Sequence, residues 1–537
     1  MNLRPKSFFI LGFLSFFSFF LYSSYSDSSR HQEEPRSGGT LRIRTFSPVL
    51  IPSLDPLTAN SDASLFIDDQ VFEGLVRFNS NLQIVPDLAD YWVISPDGTR
   101  YTFYLKKGIR FHHGSSFRAQ DVKKSLERLI TPETAGFSQY FVERVIGARE
   151  FYRGEAKEVE GFIARDDYTF EIQLLRPYLP LLSVLAAPFC KVMPADLLAS
   201  QGKKFFFKPS GTGPYKFAYW LRDSRLNIIG VRLERNENYH GHRPYLEALE
   251  FSASFSLDQF EEKQVDIIPY YSRTLSRTEC QVLESDSFRI LYLGFSCHLT
   301  PFNSLDVRQA VALALDKREL ARSYFTFESM PQVLNNIIHP RLPGFFPLDS
   351  PLEQDIHQAK RLLNKAGYYS PADFPTIEFY TLKSDRWRAE RLYQKLKEQL
   401  APLGISPRWK LVSGYNELRQ AKNAYLVLFS WTLDFPDPEN IIRPVFSQAS
   451  AVNQNVFHYE NEGLEMLLAR SEKEKSWGRR NELFREMEAL LLEDLPVIPL
   501  FLINQRLAIQ RYVKGIKVPA FGFSFLDMSR VWIGEPK

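Results

Sequence analysis

Residues 88–114 read LADYWVISPDGTRYTFYLKKGIRFHHG, and this stretch carries the clearest structural signal in the chain. Its middle, Ser95–Gly98, has the composition of a tight turn, because Asp can hydrogen-bond its own backbone and Gly accepts a positive φ. The run Tyr101–Leu105, which is rich in aromatic residues, follows the turn. The stretch therefore predicts a β-hairpin.

Outward from the hairpin, short strands and helices alternate, which indicates an α/β protein. The length of 537 residues suggests about three structural units. The periodicity predicts helices over Ala119–Ile130, Val307–Leu320, Leu352–Ala366 and Trp387–Leu400, with one or two more within Gly463–Leu492. It predicts strands over Leu41–Phe46, Phe288–Phe295, Ile377–Thr381 and Ala424–Phe429, and a strand pair over Val497–Ile509.

The N-terminus has the layout of a secretory signal over residues 1–26. Arg4 and Lys6 precede the uncharged run Phe8–Tyr22, and small serines follow it. This apolar run is shorter than the roughly 20 residues that a membrane-spanning helix needs. Residues 27–38 are polar and predict a linker. We therefore expect export to the periplasm, with retention at the inner membrane as the alternative if the signal is not cleaved.

The charge balance excludes one class of partner. Lys and Arg number 66 against 63 Asp and Glu, so the net charge is +3, and it falls to +1 without Arg4 and Lys6. Nucleic-acid binding requires clustered basic charge, which this chain lacks. Cys190, Cys280 and Cys297 form no disulfide framework, and buried free thiols are expected, although one bridge stays possible.

No motif in the sequence predicts catalysis. There is no G-x-S-x-G, no H-E-x-x-H and no phosphate-binding glycine loop. His112 and His113 are adjacent on a predicted strand, so their side chains point to opposite faces and would not share a metal ion. We therefore predict no catalytic residue, no metal site and no cofactor.

A carboxylate in an apolar setting is the main candidate for binding. Asp434 lies just past the apolar run Ala424–Phe429, among aromatic and proline neighbours. An unpaired carboxylate is costly to desolvate there, so a cation should meet it. A structural salt bridge or a cap of the turn at Pro436 would also satisfy it.

Four motifs in order along the chain resemble one known family. They are Leu88–Gly114, Ala119–Val122, Gly211–Tyr215 (Gly-Thr-Gly-Pro-Tyr) and Asp306–Asp316. The chain resembles the extracytoplasmic solute-binding proteins of the peptide/nickel ABC importers, which include oligopeptide- and dipeptide-binding proteins. The resemblance covers nearly everything after Gly39.

The resemblance implies an α/β, two-lobed periplasmic-binding-protein fold with a hinge. The first lobe would comprise residues 39–290, with a small extra subdomain at about 84–198. The second lobe would comprise 291–500, and residues 501–537 would return to the first lobe. The ligand would lie between the lobes, and the protein would act as a monomer.

The resemblance also implies ligand-binding residues. Trp431-Thr-Leu-Asp434 is similar to the family pattern in which the Asp binds the α-ammonium of a peptide, and Trp431 would form a wall of the first side-chain pocket. Some relatives offer an Arg to the peptide carboxylate, and Lys383 lies nearest that place here. The family loop Gly211–Tyr215 would offer backbone groups beside the peptide through Gly211, Gly213 and Tyr215. A core position for Trp431, a solvated Lys383 and a simple strand-entry turn at the loop are the structural alternatives.

These implications predict a peptide-binding receptor, and not an enzyme. It would capture short peptides and deliver them to the membrane permease of an ABC transporter. A metal chelate, haem or another small solute is the alternative ligand, and chaperone-like holding of unfolded segments is the alternative role.

Overall fold

The computed structural model describes residues 34–45, 53–58, 62–270, 280–285, 287–325, 331–347, 353–519 and 521–535. The predicted signal at 1–26 and most of the predicted linker therefore lie outside the described residues. Within the described part of the chain, no helix is both long enough and apolar enough to cross a bilayer.

The first lobe is built on a seven-stranded mixed sheet, which we call the first-lobe sheet. Its central strand alternates inward and outward residues, so that Leu41 and Ile43 enter the core. The helix Asp62–Val71 covers it, with Phe66 edge-on to Phe251 at 5.2 Å. In spatial order, the strands are Cys280–Ser285, Gln505–Gln510, Ile267–Pro269, Thr40–Arg44, Ala248–Ser252, Ile228–Arg235 and Tyr215–Arg222.

The predicted hairpin is confirmed as part of a four-stranded antiparallel sheet in the subdomain. Asp97 accepts a hydrogen bond from the Thr99 amide at 3.1 Å, and Gly98 has φ +74°. The strands are Ala89–Ile94, Arg100–Leu105, Thr169–Gln173 and Phe162–Asp166. The subdomain helices are Ala119–Glu127, Ala135–Ser138, Ala148–Tyr152, Leu181–Leu185 and Ala195–Gln201. Backbone hydrogen bonds, such as His112 to Gly211 at 2.8 Å, attach the subdomain to the first lobe.

The second lobe has a five-stranded sheet, which we call the second-lobe sheet. Its strands are Arg408–Val412, Glu378–Leu382, Tyr425–Thr432, Arg289–Phe295 and Val497–Leu502. Buried residues line both faces of its central strands, which matches their continuous apolar runs. Its helices are Leu305–Ala314, Lys317–Tyr324, Ile356–Lys365, Arg386–Leu400, Glu439–Phe446, Glu462–Lys473 and Trp477–Asp494.

The helix predicted over Val307–Leu320 is divided in the structure. The first helix ends at Ala314, and Leu315 is extended, with ψ 124°. Asp316 then accepts hydrogen bonds from the amides of Arg318 at 2.8 Å and Glu319 at 3.0 Å. An Asp that caps a new helix in this way requires a non-helical backbone, and it therefore breaks the apolar repeat.

Two segments of the described chain join the lobes, and they lie side by side. One includes Ser287 and Phe288, between the strands Cys280–Ser285 and Arg289–Phe295, and the other runs from Leu502 to Gln505. The Ser287 hydroxyl donates to the Ile503 carbonyl, and the Ile503 amide donates to the Arg289 carbonyl at 2.9 Å. The predicted limits at 290 and 500 fall inside Arg289–Phe295 and Val497–Leu502, both of which belong wholly to the second-lobe sheet.

Two short antiparallel pairs complete the strands of the described residues, Val76–Phe78 with Ile84–Pro86, and Val513–Lys514 with Trp532–Ile533. The first-lobe helix Leu257–Glu261 completes the α-helices of this part of the chain.

Candidate functional site

One edge of the second-lobe sheet carries three of the six predicted binding residues. The strands Glu378–Leu382 and Tyr425–Thr432 are parallel neighbours, so their carboxyl ends meet at the same edge. Lys383 follows the first strand, and Asp434 follows the second. Arg289 begins the antiparallel neighbour, opposite Thr432. A polar site at this edge is therefore a consequence of the sheet topology.

Asp434 is held in place by Asn440. The Asp434 amide donates to Asn440 Oδ1 at 2.7 Å, and Asn440 Nδ2 lies 3.4 Å from Asp434 Oδ2. Burial raises the pKa of Asp434 to about 6, and the amide of Asn440 opposes this rise. Among the described residues, no Lys, Arg or His forms an ion pair with this carboxylate. The site therefore lacks the countercharge that an ionised, desolvated carboxylate needs.

The segment that carries Asp434 lies against the first lobe. Phe435 is fully buried in the apolar core of the subdomain, and its ring meets the ring of Tyr140 edge-on at 5.3 Å. Asn440 Nδ2 also donates to the Tyr140 hydroxyl at 2.8 Å. Asp434 is half-buried and thus lies where the two lobes meet.

Trp431 supports this segment from within the second lobe. Its Nε1 donates to the Asn440 carbonyl at 2.7 Å, and its ring stacks on Phe429 at 6.1 Å. The side chain is partly buried at the margin of the second-lobe core. Trp431 therefore holds Asn440, which in turn binds the amide of Asp434. Its role as a wall of the first side-chain pocket stays a prediction.

The same edge carries basic side chains. Lys383 is exposed, and its Nζ donates to Ser413 Oγ at 2.8 Å. Arg289 is more buried, donates to Ser430 Oγ at 2.9 Å, and lies 3.8 Å from Asp385. Arg289 was not predicted as a site residue from the sequence. The only local indication of it in the sequence is a basic residue at the start of an otherwise apolar strand.

The loop Gly211–Tyr215 has a structural setting in the first lobe. A Cβ on Gly211 would lie 1.9 Å from the Val71 carbonyl, so the backbone approaches the helix end closely. The Gly213 amide donates to the same carbonyl at 3.0 Å. Tyr215 is fully buried, and its hydroxyl donates to the Met528 carbonyl at 3.2 Å. Since these groups bond within the protein, Gly211, Gly213 and Tyr215 are left out of the proposed binding site.

A separate cavity of about 1290 Å³ lies on the first lobe and does not include Asp434. Glu73 lines it and accepts hydrogen bonds from the Tyr239 hydroxyl at 2.9 Å and from His240 Nε2 at 2.8 Å. Burial raises the pKa of Asp87 in the same wall to about 7. The buried charged side chains around this cavity largely pair with one another, which is typical of a structural network.

The adjacent residues His112 and His113 direct their rings to different neighbours. His112 contacts Gly211 and Gly213, whereas His113 contacts Ser210, so the two rings serve different neighbours. The described residues contain no group of three or more His, Cys, Asp or Glu side chains placed to hold a metal ion. Cys190 and Cys297 are free thiols.

The two lobes, the paired crossovers and an enclosed polar site between the lobes define the class of periplasmic binding proteins. Residues 83–453 match the family of bacterial extracellular solute-binding proteins, family 5. The chain belongs to this family, and the resemblance stated from the motifs is confirmed.

Similarity to individual proteins extends over nearly the whole chain. The dipeptide-binding protein of Escherichia coli is 24% identical over 482 residues, which cover 84% of this chain and 87% of that protein. Heme-binding protein A of Haemophilus influenzae is 24% identical over 510 residues, covering 89% and 88%. The structure of a Helicobacter pylori periplasmic binding protein in complex with the peptide STSA superimposes with a TM-score of 0.75 at 23% identity, covering 93% and 99%. The predicted two-lobed fold is therefore confirmed, while the relatives differ in the ligands they are named for.

Proposed function

We propose that this protein captures short peptides between its lobes and delivers them to the membrane permease of an ABC importer. The observation that carries the proposal is the half-buried carboxylate of Asp434 at the junction of the lobes, which has no cationic partner among the described residues. The free amino group of a peptide supplies that partner, and a charge-assisted hydrogen bond out of water is strong. The peptide-binding relatives support this choice of ligand.

The opposite end of a short peptide would meet the basic side chains of the same edge. Lys383 and Arg289 lie at the same edge of the second-lobe sheet as Asp434. A guanidinium can bind a carboxylate through two hydrogen bonds, whereas an ammonium acts as a point charge. Arg289 is therefore the stronger candidate for a peptide carboxylate, and exposed Lys383 would act at longer range.

The role in transport follows from the proposed ligand and the family. The protein would act as a monomer outside the cytoplasm, and it would bind and release its ligand without chemical change. The predicted signal at residues 1–26 is part of this proposal. Haem is the second candidate ligand, because a relative of equal identity is named for it.

Substitution of Asp434 tests the proposal directly. We expect Asp434→Asn to weaken binding of free-amino peptides by roughly 2–5 kcal/mol, or about 30-fold to several thousand-fold, because the ammonium loses its countercharge. Isothermal titration calorimetry would compare di- to pentapeptides with the same peptides after Nα-acetylation. Acetylated peptides should bind wild type and variant equally weakly.

The matched control is Asp196→Asn, which neutralises an exposed aspartate in the first lobe. It should leave peptide affinity unchanged. Equal affinity of wild type and folded Asp434→Asn for free-amino peptides would contradict the proposed anchor. Native mass spectrometry of the gently purified protein would identify a retained ligand, and a haem mass would replace the peptide proposal.

A further inference from the structure

A cluster of buried charges joins the subdomain to the second lobe, and we call it the interlobe cluster. Its members come from a loop and a strand end of the subdomain and from three helices or helix ends of the second lobe. They are Arg144, Arg176, Asp437, Glu439, Arg443, Glu472 and Arg480. None of these residues is part of the proposed peptide site.

Two arginines of the subdomain make the contacts between the lobes. Arg144 donates to Glu439 at 2.8 Å and to Glu472 at 3.2 Å. Arg176 donates to the other oxygen of Glu472 at 2.7 Å. The side chains of Arg144 and Glu439 are 3% and 1% exposed, so their attraction is screened little by water.

Each carboxylate of the cluster also has a cation on its own lobe. Arg443 lies 2.9 Å from both Glu439 and Glu472, and Arg480 lies 2.9 Å from Glu439. Separation of the lobes would therefore leave no carboxylate of the cluster without a cation. Breaking a buried pair is most costly when one charge stays unpaired, and this arrangement avoids that cost.

Arg144 would also keep contacts within its own lobe when the lobes separate. Its Nη1 donates to the Gln139 carbonyl at 2.7 Å, and its guanidinium lies over the Tyr178 ring at 4.2 Å. Both partners belong to the subdomain, so the side chain keeps its orientation when the second lobe leaves. The second-lobe half of the cluster therefore keeps a cation beside every carboxylate, and Arg144 keeps two contacts within the subdomain, so the buried partners Arg144 and Glu439 both retain contacts when the lobes separate.

We propose that Arg144 and Arg176 form a latch that holds the lobes closed through Glu439 and Glu472, whether or not a ligand is bound. Proteins of this architecture close by hinge motion, and the two neighbouring crossovers supply the axis. The latch sets the ratio of closed to open molecules before binding. This inference goes beyond the proposed function, since it depends neither on Asp434 nor on the nature of the ligand.

The test measures lobe opening in the ligand-free protein. Single-molecule FRET between dyes on R225C in the first lobe and K397C in the second lobe would report the open and closed populations. We expect Arg176→Gln and Glu472→Gln each to raise the open-to-closed ratio by roughly threefold to tenfold. Arg176 is 40% exposed, so its replacement leaves the core of the subdomain intact.

The matched control is Arg165→Gln. Arg165 pairs with Glu171 at 2.8 Å within the subdomain, with an Arg exposure of 49%, and this pair does not join the lobes. Its loss should leave the ratio unchanged. Thermal unfolding of each variant would establish that all are folded.

Two results would contradict the proposal that these residues form a latch. One is an open-to-closed ratio in Arg176→Gln and Glu472→Gln that equals the ratio in wild type and in Arg165→Gln. The other is a ligand-free wild type that is already open. Neither result bears on Asp434, so failure of the latch and failure of the peptide proposal are separable.

Discussion

At the scale of single residues, Asp434 is a half-buried carboxylate without a cationic partner among the described residues. Its burial in the folded protein raises its pKa to about 6 from 3.8, so the folded state binds the proton more tightly than the unfolded chain does. Stability from this group is therefore greatest below pH 4 and decreases as the pH rises to about 6. The carboxylate is therefore maintained at a cost in stability at neutral pH, as expected of the proposed peptide anchor.

This linkage gives a prediction for the ligand-free protein. Asp434→Asn should be more stable than wild type at pH 7 by roughly 1–3 kcal/mol, because the amide carries no charge to desolvate. Urea unfolding at pH 4 and pH 7 would measure the difference. We expect the two proteins to converge near pH 4, and a difference that is the same at both pH values would contradict desolvation of the carboxylate as the cause.

At the scale of elements, the break between the helices Leu305–Ala314 and Lys317–Tyr324 depends on one cap. Asp316→Ala should lower the free energy of unfolding by about 1 kcal/mol, because two helix amides lose their acceptor. Ser304→Ala is the matched control, since Ser304 precedes the neighbouring helix without a side-chain capping bond. Chemical denaturation would compare the two variants, and equal losses would argue against the capping role.

The same elements indicate how far the sequence predicts this structure. The hairpin around Ser95–Gly98 and the edge carrying Trp431 and Asp434 follow from turn chemistry and apolar runs, which are local. The break at Asp316 had a visible local signal, an Asp followed three residues later by Glu319, but the apolar repeat obscured it.

Other contacts in the molecule could be recognised only from the tertiary structure. Arg144 and Glu439 are 295 residues apart, so nothing in either local sequence indicates their pairing. Gly211 and Tyr215 matched a family motif, yet their contacts serve the first-lobe core. A motif specifies residue types, and whether they face a ligand or the protein depends on neighbours that are distant in sequence.

At the scale of the whole molecule, the subdomain is in contact with both lobes. Phe435 of the second lobe completes the apolar core of the subdomain, which otherwise consists of residues from 75 to 192. Polar contacts at Tyr140 and Arg144 surround this ring. Closing therefore buries apolar surface as well as charge.

A substitution at Phe435 tests this contact. Phe435→Ala should speed amide exchange in residues 137–145 of the subdomain by about tenfold or more, because the docked ring is lost. Phe446→Ala removes an equally buried ring from the second-lobe core alone and should leave that segment unchanged. Hydrogen–deuterium exchange would compare both variants, and equal protection of 137–145 in wild type and Phe435→Ala would contradict the contact.

The paired crossovers also determine the order in which the protein can be assembled during synthesis. The strand Gln505–Gln510 lies between Cys280–Ser285 and Ile267–Pro269 in the first-lobe sheet. A ribosome that has made 500 residues has therefore produced every strand of the second-lobe sheet except the end of its last one, while the first-lobe sheet still lacks an inner strand. Because domains fold as units during synthesis, the lobe that begins first is finished last. The nascent chain thus keeps an incomplete first lobe until the strand Gln505–Gln510 emerges.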